Sequence, residues 1–224
     1  MDTNPGMSAQ DRAIDALLQL LAVKEYGSVT LPDVAEKAGM SLAELRAAFP
    51  SKGAILAGFV RRIDQSLLKP SPEIEGQPPR ERLFDVVMRR FEALKPHKLA
   101  VDSARRGLMA DPLAASAWNK VEVTSAQWML AAAGIDESGP YATLKAQGLA
   151  VIFASVLGTF LQDEDPDLTA TMRDLDIQLR RAERMVETGD MMHKAISPVL
   201  SAIGSFVGDH RPRRRASEDP ASAI

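Results

Sequence analysis

Residues 30–52 read TLPDVAEKAGMSLAELRAAFPSK, two short helices joined by a tight turn and then the entry to a third. Thr30 is a good N-cap with Asp33 three positions on, and Pro32 suits a first helical turn. Val34 and Ala35 then face inward, and Gly39 stands where the chain needs a left-handed backbone to leave the helix. Ser41 with Glu44 repeats the capping pattern, so a second helix starts at once. Its inward residues are Leu45 and Phe49, and Pro50 stops it. A small residue, a turn glycine and a pinning leucine at Ala35, Gly39 and Leu45 make the helix-turn-helix pattern. Its second helix, residues 41–48, is set to enter a DNA major groove N-terminus first. An ordinary helical hairpin in a bundle has the same spacing, so the surroundings decide.

Before the stretch comes a long helix with Arg12 near its start, then Tyr26-Gly27. Thr30, Ala35, Ala38-Gly39, Ser41, Phe49 and Ser51-Lys52 follow in register. In this order about the first 60 residues resemble the N-terminal domain of TetR-family transcriptional regulators. The resemblance implies a double-stranded DNA operator as partner, touched by Thr30, Ser41, Leu42, Glu44, Arg46 and Ala47. It also implies a phosphate held by Ser51, Lys52 and the first amides of the fourth helix, where a helix N-terminus attracts anions. One departure concerns the recognition helix. The family commonly carries tyrosine and histidine there, whereas this chain has Arg46 and Ala48. Arg46 can bind phosphate or read guanine, but Ala48 offers no hydrogen bond. Residues 1–66 carry seven Lys/Arg against eight Asp/Glu, so no bulk basic field draws DNA in. Binding through a few placed cations should be modest and salt-sensitive.

The 224-residue chain is long enough to bury a sizeable core as one or two domains. Hydrophobic content of 46% and a net charge of −3 suit an ordinary globular protein rather than a basic nucleic-acid sponge. There is no cysteine, which excludes disulfide and thiolate chemistry and fits the cytoplasm. The opening MDTNPGMSAQ lacks a basic residue followed by an apolar run, so it does not read as a secretory signal. No uninterrupted apolar run approaches the ~18 residues of a membrane span.

The fold class expected is all-α: a three-helix helix-turn-helix head followed by a helical ligand-binding and dimerisation body. Residues 1–7 should be disordered, 8–51 the DNA-binding domain, 52–68 a connecting helix and 69–79 a proline-rich linker. Residues 80–188 should be the regulatory domain, and 189–224 an amphipathic segment with a basic tail. Individual helices are expected at 9–25, 52–68, 80–94, 98–110, 112–133, 140–162 and 166–187.

Two stripes suggest pairing. Ala146, Ala150, Ala154 and Gly158 recur every four residues, and such small side chains let a facing helix approach. Leu168, Met172, Leu175 and Leu179 follow a heptad seam. Either both faces pack inside one chain, or they form a two-fold four-helix interface with a second copy. TetR-like proteins dimerise through their last two helices, which implies the homodimer. The middle helices would enclose a small apolar or amphipathic ligand among Phe91, Leu108, Met109, Trp118, Val121, Trp128, Met129, Ile152 and Phe153.

A second resemblance rests on Trp128-Met129, Ala133-Gly134, Tyr141 and the run 163–176, DEDPDLTATMRDLD. These strings are similar to the TetR-fold ubiquinone-biosynthesis lipid-binding proteins, which lack DNA binding. That reading implies a lipid-binding accessory protein at a membrane. The tail adds HRPRRR at 210–215 behind an amphipathic stretch, which can lie on an anionic surface, dock on its own domain or stay mobile.

Nothing in the motifs points to catalysis. His97, His193 and His210 are not at metal-ligand spacing, and no phosphate loop or nucleophile elbow is present. Asp163, Glu164, Asp165 and Asp167 read as a solvated turn that caps the next helix. A non-enzymatic regulator without metal or cofactor is expected, a repressor by resemblance.

Overall fold

Most of the helices begin at a capping side chain or a first-turn proline. The computed structural model describes residues 7–68, 76–135 and 141–187. Ser8 accepts the Asp11 amide and opens α1 (Ala9–Leu21). The helix ends four residues before the expected boundary. There the chain is diverted into a 3-10 turn at Tyr26–Ser28, and the Lys24 carbonyl accepts a 2.8 Å bond from Ser103. Capping boxes start α2 (Leu31–Lys37) and α3 (Leu42–Ala48), and Ser51 starts α4 (Lys52–Leu67). Prolines in the first turn open α5 (Pro79–Leu94) and α7 (Pro112–Ala132), with α6 (Lys98–Met109) between them. The body closes with α8 (Ala142–Gln162) and α9 (Thr169–Glu187). The described residues are all-helical, with no strand among them.

The chain divides into two units, residues 1–180 and 181–224, and of the second only the end of α9 is described. The expected disorder at 1–6, most of the proline-rich linker and the tail from 189 lie outside the described residues.

In the first unit, Leu17, Val34, Leu45 and Phe49 close the core of the head. Gly58 lets α4 run tight against Phe49, since a Cβ there would stand 2.9 Å from the ring. The head docks on α6 at Gly107, where a Cβ would meet the Tyr26 Cβ at 2.5 Å. In the body, α7 packs on α8 most extensively and also on α4, α5 and α6. Arg82 donates to the Ala133 and Gly134 carbonyls, satisfying acceptors at the C-terminal end of α7.

The acidic run after α8 is a cap. Asp163 accepts both the amide and the hydroxyl of Thr171, at 2.8 and 2.7 Å. Helix α9 starts at Thr169 rather than 166, because Leu168 adopts a left-handed backbone, φ 53°. That conformation is strained for a branched residue, and full burial of the Leu168 side chain holds it there.

The proposed pairing stripes need correction. Ala146 and Ala150 are buried inside the chain, while Ala154 is exposed and Gly158 half-buried. Four residues turn an α-helix by about 400°, so a four-residue stripe drifts ~40° per step and leaves the core by its end. The outward face of α8 is instead Gly148, Val151, Ala154 and Ser155. Leu168, just before α9, and Leu175 and Leu179 on it are buried in their own chain, and Met172 is half-buried. The heptad seam is spent on the core. Helix α8 is long and apolar enough, by length and composition, to cross a membrane. Polar residues such as Lys145, Gln147 and Thr159 interrupt the apolar run, and its mean hydropathy is 1.6.

Candidate nucleic-acid interface and ligand cavity

Gly39 decides how α3 is presented. Its φ of 61° ends α2, and its amide bonds the Glu36 carbonyl while that of Met40 bonds Ala35, a Schellman turn. The chain re-enters helix two residues later with Leu45 as the one buried residue of α3. Ser41, Leu42, Ala43, Glu44, Arg46 and Ala47 are exposed, Leu42 by 53%. Phe49 anchors the exit in the core. Thr30 and Ser51, the two flanking caps, are exposed as well.

Two of the expected contact residues are committed elsewhere. The Glu44 carboxylate accepts from the Ser41 amide at 2.7 Å and from its hydroxyl at 2.8 Å. These bonds hold its pKa below the ordinary value. Glu44 therefore shapes the start of α3. Lys52 turns inward. Its ammonium donates to the Tyr26 carbonyl at 2.6 Å and the Val29 carbonyl at 2.7 Å, and lies 4.1 Å from the Tyr26 ring centroid. Burial lowers its pKa. The expected phosphate ligand instead ties the start of α4 to the turn before α2, where the Tyr26 and Val29 carbonyls accept its ammonium. Arg62 is likewise occupied, 2.7 Å from Asp15. Arg46 and Lys37 are the exposed cations on or beside the helix-turn-helix.

The body holds a partly open cavity of about 80 Å³. Leu56, Phe59 and Val60 of α4, Leu108 and Met109 of α6, Trp118 of α7 and Phe153 of α8 line it. Four of the nine expected ligand residues thus come together: Leu108, Met109, Trp118 and Phe153. Val121 and Trp128 look the other way, into an open groove of about 610 Å³ between α4 and α7. A 21-residue helix serves two sides, and its apolar residues do not share one face. Phe91 and Met129 are plain core. Phe91 stacks on Phe153 with centroids 4.9 Å apart, and Met129 is 1% exposed. Ile152 is half-buried and packs against the core without lining the cavity.

The head sequence matches the family model for bacterial regulatory proteins of the tetR family over residues 13–58. Over those residues the head is a tetR-family helix-turn-helix domain. Two solved structures share the fold. The TetR transcriptional regulator from Nitrosomonas europaea is 22% identical with a TM-score of 0.63, covering 78% of this chain and 97% of that one. A TetR transcriptional regulator from a Rhodococcus species is 22% identical with a TM-score of 0.54, covering 79% and 97%. A comparison with curated protein sequences finds no match.

Within the TetR-type body the sequence reading missed a buried polar cluster. Arg90 of α5, 1% exposed, donates to Glu122 of α7 at 3.1 Å. Its guanidinium sits 4.1 Å from the Phe153 ring centroid and 3.9 Å from the Met129 sulfur, and its buried Nε has no hydrogen-bond partner. Nearby, Asp64 of α4 accepts a 2.6 Å bond from Ser125 of α7. Burial pushes the Asp64 pKa up, against the opposing pull of the Arg90 charge and the Ser125 bond. A clue was present: Arg90 falls in the apolar register of Val86, Val87, Phe91 and Leu94, and Asp64 in that of Val60, Ile63 and Leu67. A charge in a core register asks for a partner.

Proposed function

We propose that this TetR-family regulator binds operator DNA as a homodimer and releases it when a small ligand fills the cavity, acting as a cytoplasmic, non-enzymatic repressor. One observation carries the reading. Helix α3 exposes every residue from Leu42 to Ala47 except Leu45, after a turn at Gly39. The groove-facing set is then Ser41, Leu42, Arg46 and Ala47, with Thr30 and Ser51 at the flanking backbone. Residues 8–51 serve as the DNA-binding domain, α4 as the connecting helix, and residues 80–188 as the regulatory domain.

The outward face of α8 supports a second copy. Only 33% of its apolar window is buried within the chain, leaving Val151 60% exposed among small residues. Ala154 and Ile177 lie on the exposed surface that pairing would cover. Coupling runs through α4. It lines the cavity at Leu56, Phe59 and Val60 and begins three residues after α3 ends. A ligand acts only if it binds one spacing of the two heads better than the other.

The test is a fluorescence-anisotropy titration with the DNA upstream of the reading frame. Saturable binding, weakened at least about tenfold by Arg46→Ala, supports the reading. No binding at low salt, with lipid co-purifying, would favour the lipid-binding accessory protein instead.

A further inference from the structure

We propose that the cavity selects a small neutral molecule bearing a carbonyl or ether oxygen on an apolar body, and rejects organic acids. The inference rests on the reading of this cavity as the effector site. Its walls are apolar except for Arg90, Glu122 and the half-exposed Arg105, which already pairs with Asp102. Arg90 is the only one of the three that is nine-tenths buried. Its Nε–H has no acceptor, and Nη1 meets only the Met129 sulfur at 3.9 Å. A buried guanidinium with unused donors asks for an oxygen.

The charge of that oxygen is decided by what surrounds Arg90. Glu122 already neutralises it at 3.1 Å, and Asp64 stands near enough to interact with the same charge. A ligand carboxylate would gather a third acid around one buried cation. A neutral oxygen at Nη1 replaces its weak sulfur contact and leaves the charge balance unchanged. Size follows from volume. About 80 Å³ is roughly half of a cavity that holds benzene, so about five heavy atoms fit without moving the walls.

The two tryptophans supply the readout, since Trp118 lines the cavity and Trp128 faces the groove on the other side of α7. Probes are 2-butanone, butyrate and isopentane, each titrated while the two indole N–H resonances are followed. In the intact chain, 2-butanone should move Trp118 and not Trp128, at least about tenfold more tightly than butyrate or isopentane. Arg90→Met should erase the preference over isopentane. Should that variant not fold, Glu122→Gln decides: with the counter-charge gone, the preference should swing to butyrate. Ala104→Leu, which fills the cavity, should abolish all three. Equal or tighter binding of butyrate to the natural chain, no swing in Glu122→Gln, or no probe moving Trp118 would each overturn the proposal. The effector reading fails separately: 2-butanone binds with this preference yet leaves operator affinity unchanged.

Discussion

Lys52 shows how a residue type can be read correctly and its task misread. A lysine at a helix start suggests a phosphate contact, but here two carbonyls and the Tyr26 ring claim it. The consequence is a split between stability and DNA binding. Lys52→Ala should cost about 2 kcal/mol of stability in urea denaturation, through two lost charge-assisted bonds. It should leave the slope of log affinity against log salt unchanged, whereas Arg46→Ala should reduce that slope by about one. Asp64 makes a second test. Its folded pKa lies above 3.8, so the folded chain holds a proton the unfolded chain has lost. Stability from this group is therefore greatest at low pH and is lost as pH rises through the folded value. Asp64→Asn keeps the acceptor for Ser125 and removes the ionisation. The variant should melt higher than the natural chain at pH 7, with the advantage shrinking as pH falls toward 4; an advantage that does not change with pH would refute the account.

At the scale of elements, the head was legible and the body only partly so. Each capping box acts over three residues and the glycine turn over five, so local chemistry places the bounds of α2 and α3. Gly39→Ala should cost about 1–2 kcal/mol, the penalty for a Cβ at positive φ. Gly148→Ala, with nothing of its own chain within 4 Å, should be neutral or stabilising in melts at concentrations where the chain is monomeric. The body's helices were legible from apolar spacing, to within a few residues at each end. Which side each residue faces was not, because that depends on packing partners far along the chain. Leu168, Leu175 and Leu179 fit a pairing seam and a core face equally well, and the core took them. Arg90 and Glu122 stand 32 residues apart on separate helices, and only folding joins them.

On the scale of the whole molecule, the proposed regulation needs two heads held at a set distance. The outward face of α8 is where that distance would be fixed, and neighbouring alanines separate assembly from folding. Ala154→Trp, at an exposed position, should yield a folded monomer in sedimentation velocity. Ala150→Trp, at a position 4% exposed within the chain, should instead destabilise the fold. A dimer that survives Ala154→Trp would rule out this face. Paired heads should also leave a spatial signature on DNA. The most direct measurement is a hydroxyl-radical footprint on the upstream duplex. Two symmetric protected patches, centred one helical turn or a whole multiple apart and lost together in Arg46→Ala, are the result expected. A single patch, or two on opposite faces of the duplex, would contradict the account.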